Sequence, residues 1–290
     1  MTVGKKLSFG IKTPQQRTTY QDMLRVWQEA DSIPSIEHAW LLDHFMPLRP
    51  DFSDPCLEGW TLLAAFAART TRLRLGLTVS SNTFRHPAVL ANMAATVDII
   101  SAGRLDFGIG AGIHEIEHTA YGIPLYAPGE RIRRLGEACE LIRRMWTEDA
   151  PGFEGAYYQI KDAYCEPKPV QQPYPPFVIG GVGEKLLLRV VAQYADIWNF
   201  TGGGVESFQQ KNAALERHCA AIGRDPQTIV RSTQIRADPA DLGEARGRLR
   251  DYAQAGITHL ILSLQAPYPA GIVHRLDEEI IQPLKAELEE

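Results

Sequence analysis

Leu41-Leu42-Asp43-His44-Phe45 marks the place where a buried apolar run ends and a loop begins. His38 to Leu42 before it are mostly apolar, and Pro47, Pro50 and Asp51 follow within a few positions. An acid and an imidazole therefore stand side by side at the C-terminal end of a predicted strand, and comparable strand-to-loop junctions recur downstream. In a barrel of parallel strands that edge carries the chemistry. A lone Asp-His pair says little, but its position at a strand end makes Asp43 and His44 candidate catalytic groups.

Outward from this junction, short β-rich runs alternate with amphipathic helical runs. Strands are predicted near 7–12, 38–42, 73–79, 105–110, 177–180, 197–200, 229–235 and 259–264. Helices are predicted at 20–30, 59–69, 88–100, 131–146, 185–194, 208–222 and 242–255, with a last one near 272–288. Within 131–146, Leu135, Ala138, Leu141, Ile142 and Met145 recur at spacings of three and four, the signature of one apolar helix face. Eight such units in 290 residues fit a closed (β/α)8 TIM barrel, an α/β fold, better than an open doubly wound sheet. One domain is expected over 1–290. Two segments break the rhythm, 112–129 and the Pro-rich 150–176, and loops of that length act as a lid or a strap. Gly155-Ala156-Tyr157-Tyr158 suits a small hairpin within the second. Both segments are expected to set specificity.

Composition narrows the function classes. With 44% hydrophobic and 22% charged residues the chain has ordinary globular material for a large core. A net charge of -5 with scattered Lys and Arg argues against nucleic acid and a polybasic membrane patch. Cys56, Cys139, Cys165 and Cys219 lie far apart without a Cys-x-x-Cys pair, so neither a disulfide framework nor a zinc ribbon is indicated. Met1 to Lys6 leads straight into a strand-like run without a signal-peptide core, and no apolar run reaches membrane-spanning length, so a cytoplasmic location is expected.

The other strand ends carry further candidates. The third leads through Thr78-Val79-Ser80-Ser81-Asn82, small hydroxyl and amide groups that either bond a planar heterocycle or simply cap the loop before a helix begun by Pro87. The fourth ends Gly108-Ile109-Gly110-Ala111-Gly112. It is not a dinucleotide fingerprint, lacking the third glycine at the right offset and the later acidic residue. Its glycines allow backbone to approach a flat ligand or another loop. His114, Glu115, Glu117 and His118 follow; without a partner at ligand spacing elsewhere, a solvated or lid-forming turn is preferred and no metal is expected. The fifth ends Gly180-Gly181-Val182-Gly183 before a helix, a turn that either cradles a phosphate with its N–H groups or serves packing. Glu184 opposes the phosphate reading unless its carboxylate points outward. Gly202-Gly203-Gly204 after the sixth strand adds a flexible rim.

Taken in order, these junctions resemble the luciferase-like monooxygenase superfamily, specifically its branch of oxidoreductases using coenzyme F420, a deazaflavin. The resemblance runs from Phe9 to Asn199. It is carried by Leu41 to Phe45, Arg85-His86-Pro87, Gly103-Arg104-Leu105 with Gly108 to Gly112, Glu166-Pro167-Lys168-Pro169 with Gln172, and Ile179-Gly180-Gly181 with Ala195-Asp196. It implies a bacterial-luciferase-like barrel, usually a homodimer, with the cofactor ring across the strand ends. Asp43 would bind the ring or orient its neighbour, and His44 would stand beside the hydride-transferring carbon as acid–base group. The family's non-prolyl cis peptide maps to Thr78–Val79. Thr78, Val79, Ser80, Asn82, Gly110, Ala111 and Gly112 would line the ring, and Gly180, Gly181 and Gly183 would hold the phosphate.

One departure leaves the proton donor open. Sugar-phosphate members carry a glutamate near the end of strand four; here Ile113 or His114 takes that place, with Glu115 nearby as the acidic candidate. Asp-His rather than Glu-His at strand two favours F420 over FMN. The expected activity is hydride transfer between F420 and a small carbonyl, imine or activated alkene. The alternatives are an FMN-dependent monooxygenase working with a partner reductase and a non-catalytic flavin-binding barrel. A flavin or F420 reductase is the only protein partner beyond the homodimer that these readings imply.

Overall fold

Each predicted strand forms, and the eight close on themselves. The computed structural model describes residues 6–288; the N-terminal residues 1–5, which entered the targeting argument, lie outside that range. The strands are β1 Ser8–Lys12, β2 Ile36–Leu41, β3 Arg74–Leu77, β4 Leu105–Gly110, β5 Phe177–Gly180, β6 Ile197–Phe200, β7 Val230–Arg236 and β8 His259–Ser263. All neighbours are parallel. β1 pairs with both β2 and β8, and the pairing of β3 with β4 shuts the ring. This is a (β/α)8 TIM barrel, as the repeat count predicts.

The helices follow in alternation: α1 Tyr20–Ser32, α2 Gly59–Ala67, α3 Pro87–Ile100, α4 Glu115–Ala120, α5 Pro128–Thr147, α6 Leu187–Tyr194, α7 Val205–Ala221 and α8 Leu242–Gln254. A broken helical run over 272–288 closes the last unit. No helix among the described residues is long and apolar enough to cross a membrane. The main core lies between strands and helices, with Trp27, Phe66, Phe107 and Phe177 fully enclosed. A separate small cluster of Trp40, Val178, Ile197 and Ile261 fills the barrel interior, which is why strands that face both ways read as continuous apolar runs.

Below this cluster the interior turns polar. His38 and His259 stack with ring centroids 3.8 Å apart and 9° between planes. Trp40 Nε1–H donates to His38 Nδ1 at 2.6 Å, and Ser232 Oγ stands 2.8 Å from His259 Nδ1. Burial holds both imidazoles below their ordinary range, His259 at about 3, so the pair is neutral.

The two irregular segments behave differently. Residues 112–129 contain α4, where the sequence predicts a solvated or lid-forming turn. The 150–176 segment is a strap. Lys168 Nζ donates to Met145 O and Glu148 O, and Gln171 ties to Asp98 and to Leu105 O at the opposite end of the barrel. A hairpin of Phe153–Glu154 with Gln159–Ile160 does form within it.

Candidate active site

Asp43 stands two residues past the end of β2, and its carboxylate has a built receptor. Oδ2 accepts from Ser81 N–H at 2.9 Å and from Arg85 Nη1 at 2.7 Å. Arg85 Nη2 continues to Glu58 Oε1 at 2.6 Å, and Glu58 in turn caps α2 through Trp60 N–H and Thr61 N–H. The Arg85 guanidinium thus clamps the end of β2 to the start of α2. Burial raises the Asp43 carboxyl from its usual value, against the opposing pull of Arg85. Its second oxygen, Oδ1, is buried without a partner.

His44 meets a carboxylate far along the chain. Its Nδ1 lies 2.7 Å from Glu117 Oε2, while Glu117 Oε1 accepts from Phe45 N–H at 2.5 Å. Glu117 is fully buried. Burial alone would raise its carboxyl, but the hydrogen bonds from His44 and Phe45 N–H, with two imidazoles nearby, outweigh it and hold Glu117 below the usual range, ionised. The carboxylate accepts the Nδ1 proton, which assigns the tautomer and leaves His44 Nε2 for the cavity that the ring lines.

α4 delivers Glu117. His114, Glu117 and His118 stand at i, i+3 and i+4, one helix face, and that face turns inward. His118 Nδ1 lies 2.7 Å from His114 O and its Nε2 lies 2.6 Å from Thr83 Oγ1, pinning α4 to the loop after β3. The solvated turn expected here is therefore corrected: Glu117 and His118 are buried. Glu115, the acidic candidate, is exposed and lies off the cavity; Glu117 is the acid brought to His44. The spacing of the two histidines and the glutamate carried this signal, but its partner was invisible locally.

His44, His114 and Glu117 also form the trio whose donor atoms lie within 4.8 Å of one another. Ligand atoms around a tetrahedral zinc stand about 3.3 Å apart given Zn–N near 2.0 Å. At 2.7 Å the His44–Glu117 contact has hydrogen-bond length instead.

These groups open onto a cavity of about 570 Å³ at the C-terminal edge of the barrel. Asp43, His44, Thr78, Val79, Ser80, Gly110, Ala111, Gly112, Gly180, Gly181 and Gly183 all line it. Asn82 does not: it is buried behind the wall, donating from Nδ2 to Tyr158 Oη at 3.0 Å. No residue of the 150–176 strap lines the cavity either, so only the 112–129 segment borders it. Phe84, Arg131, Leu187, Asn199 and Gln234 are lining residues that strand-end reading did not single out.

The Thr78–Val79 peptide is cis and places Val79 against Gly110. Gly112 has φ +77° and fits between the hydroxyls of Ser81 and Thr83. Gly181 has φ +127°, and a Cβ there would meet only the end of the Leu187 side chain, so glycine is required by conformation. Glu184 points away from the turn, to Lys211 Nζ at 2.6 Å, which removes the objection to an anion at the start of α6. Among the described residues, five on the lining carry buried polar atoms without a hydrogen bond: Asp43 Oδ1, Thr78 Oγ1, His114 Nδ1, Arg131 Nε and Asn199 Oδ1. Buried polar atoms are normally paired, so this concentration marks a place for a polar ligand.

A barrel with an acid–base dyad and unpaired polar atoms at its C-terminal rim defines a small-molecule enzyme of the TIM-barrel class. The chain belongs to the luciferase-like monooxygenase family, whose sequence model matches residues 1–274. It is 31% identical over 263 residues to an F420-dependent glucose-6-phosphate dehydrogenase of Kineococcus radiotolerans, covering 89% of this chain and 76% of that protein. It is likewise 31% identical over 240 residues to the protein of that name in Amycolatopsis mediterranei, covering 79% and 68%. Among solved structures, an F420-dependent secondary alcohol dehydrogenase in complex with an F420-acetone adduct superposes with TM-score 0.84 at 18% identity, over 96% of this chain and 99% of that one. The coenzyme F420 dependent tetrahydromethanopterin reductase of Methanopyrus kandleri gives TM-score 0.79 at 17% identity, over 97% and 100%. At these identities the two structures establish the shared fold.

Proposed function

We propose that this chain is an oxidoreductase that transfers hydride between coenzyme F420 and a small organic substrate, with His44 as the acid–base group. The observation that carries the reading is the hydrogen bond of His44 to the buried Glu117 carboxylate, on the wall of a cavity beside Asp43. The F420-dependent relatives at 31% identity support the choice of cofactor.

The residues present fit a deazaflavin. Its ring system offers a flat face, carbonyl oxygens and ring N–H groups, and the wall offers Val79 and Gly110 backbone, the orphan acceptors Asp43 Oδ1 and Asn199 Oδ1, and the Thr78 hydroxyl. The turn Gly180 to Gly183, at the N-terminus of α6, and Arg131 across the cavity would hold its phosphate. When bound, F420 supplies a hydride acceptor or donor at carbon and no oxygen chemistry.

The chain's own part is proton management and orientation. His44 Nε2 takes the hydroxyl proton of an alcohol as its C–H hydride leaves, and returns that proton in the carbonyl-reducing direction. Glu117 fixes the tautomer and favours the imidazolium that forms; it is a positioning residue, as in a carboxylate–histidine pair generally. Arg85 holds Asp43 in place and opposes the upward pull of burial on its carboxyl.

The same reading takes 1–290 as one barrel domain, with 112–129 as the segment bordering the site. Val89, Ile99 and Ile100 expose apolar surface on α3, which supports a homodimer. A separate reductase is the further partner to test. The deciding experiment titrates the purified protein with F420 and with FMN by fluorescence. Tighter F420 binding is expected, and tighter FMN binding would move the assignment to the monooxygenase reading.

A further inference from the structure

Two neighbouring strands set a neutral donor and a neutral acceptor side by side on the cavity wall, and the groups behind them fix which is which. Lys12, the last residue of β1, is only 7% exposed, and its Nζ reaches past β8 to donate to Gln234 Oε1 on β7 at 2.5 Å. Burial lowers its ammonium to about 8, so it is still protonated at neutral pH. An ammonium only donates, which makes the Gln234 atom that it meets the amide oxygen. Gln234 lines the cavity, and the end of its amide that remains for a ligand is the NH2.

Asn199 on β6 is oriented the opposite way. It is 1% exposed, and its Nδ2 donates to Ser232 Oγ at 2.9 Å, which in turn stands 2.8 Å from His259 Nδ1. Its Oδ1 is buried without a hydrogen bond, and the residue lines the same cavity. Asn199 pairs with Ser232 in the β6–β7 register, so Gln234 lies one strand across and two residues further on, with its side chain on the same face. A strand spacing of about 4.8 Å and a rise of about 3.3 Å per residue put the two backbones about 8 Å apart, a gap that two amide side chains and one small ligand fill. A donor beside an acceptor is the complement of a carbonyl oxygen beside an N–H. Lactams, imides and primary carboxamides present that edge. A carboxylate, with acceptors only, does not match it, and neither does a ketone.

We infer that the β6–β7 wall of the cavity is a subsite for an N–H–C=O edge, with Gln234 Nε2 donating to the carbonyl, Asn199 Oδ1 accepting from the N–H, and Lys12 as the positioning residue that holds the Gln234 amide. A ligand that offers no N–H leaves the Asn199 oxygen dry, and a buried acceptor without a partner is costly. Two molecules can bring such an edge: the deazaflavin itself, through its pyrimidinedione ring, or a substrate that carries a lactam or amide. The first source would deepen the cofactor fit described above; the second would add a feature of the substrate. The recognition itself involves no bond-making step, and it stands on the wall's own hydrogen bonds whether or not hydride is transferred.

The test sets 2-pyrrolidinone, whose ring holds N–H and C=O on one edge, against N-methyl-2-pyrrolidinone, which lacks the N–H. Saturation-transfer NMR titrations are run on the full chain alone and loaded with F420. The lactam should bind at least about tenfold tighter than its N-methyl form. Gln234→Glu, which keeps a partner for Lys12 and removes the donor, should weaken the lactam about tenfold with an unchanged circular dichroism spectrum. Lys12→Met should weaken it a few fold in the wild-type background and add nothing where Gln234 is already Leu, because it acts only through that amide. The two arms separate the sources. If the deazaflavin ring occupies the wall, F420 expels the lactam and Gln234→Glu lowers F420 affinity about tenfold as well. If the edge belongs to a substrate, the lactam binds the loaded chain and F420 affinity stays within about threefold in the variant. Failure of F420 to bind would end the hydride-transfer reading, and the free chain would still decide this one. The inference is overturned if the lactam binds neither form, if it binds no better than its N-methyl form, or if Gln234→Glu binds it as wild type does.

Discussion

Replacing Glu117 with Gln changes one atom and should change how His44 works. The carboxylate accepts from His44 Nδ1 at 2.7 Å through Oε2 and from Phe45 N–H through Oε1. A carboxamide can keep the Phe45 contact through its oxygen, so the backbone should hold its course. It then presents an NH2 to Nδ1, which must become an acceptor, and the ring proton moves to Nε2. Both the negative charge and the tautomer are lost. A hydrogen bond to a charged group is worth about 1.5–3 kcal/mol, so the hydride-transfer step should slow by roughly 10- to 150-fold at the optimum pH. α4 stays anchored by His118 on Thr83, and F420 affinity should remain within about threefold. Stopped-flow measurement of F420 reduction reads the rate, and a fluorescence titration reads the affinity. A variant that transfers hydride at the wild-type rate would mean that Glu117 only supports the fold, and the dyad argument would be refuted.

Other consequences follow from the same geometry. His44→Ala should leave F420 binding within a few fold and slow hydride transfer by about 10² to 10⁴, and an unchanged rate in stopped flow would return His44 to a structural role. The stacked His38–His259 pair makes stability pH-dependent. Folded-state His259 titrates at about 3, against about 6.5 in an unfolded chain, so below 6.5 the unfolded state binds more protons. Stability should be full above about pH 6.5 and decline toward pH 3, with His259 alone accounting for about 2 kcal/mol between pH 7 and pH 5. Urea unfolding at those two values checks this, and equal midpoints would contradict it. Gly181→Val should lower the melting temperature, because φ is +127°, a region a branched side chain rarely adopts. Gly183→Ala instead meets only ordinary contact with Leu187 and should keep the fold while weakening F420 binding at least about tenfold. Wild-type F420 binding by that variant, with an unaltered circular dichroism spectrum, would assign the glycine turn to packing.

What the sequence by itself determined is local and periodic. Strands are written as short apolar runs and helices in spacings of three to four, and eight regular units leave few ways to bury both faces of each strand except by closing a ring. The strand ends were legible for the same reason: Asp43, His44, Thr78, Gly110 and Gly180 each stand where an apolar run gives way to small or polar residues, and all line the cavity. Only the tertiary structure decided which of the acidic residues after β4 serves the site. Glu115 and Glu117 differ by two positions, about 200° around a helix, so one faces solvent and the other is enclosed. His44 and Glu117 are 73 residues apart, and no spacing along the chain relates them. Closure of the ring and the docking of α4 on Thr83 bring them to 2.7 Å. The roles of the long segments were likewise undecided in composition, since proline-rich chain suits a lid or a strap equally. Anchors at Met145, Asp98 and Leu105 tie Lys168 and Gln171 to the far side of the barrel while Tyr158 packs on Asn82 behind the wall, so of the two segments 112–129 alone lines the cavity.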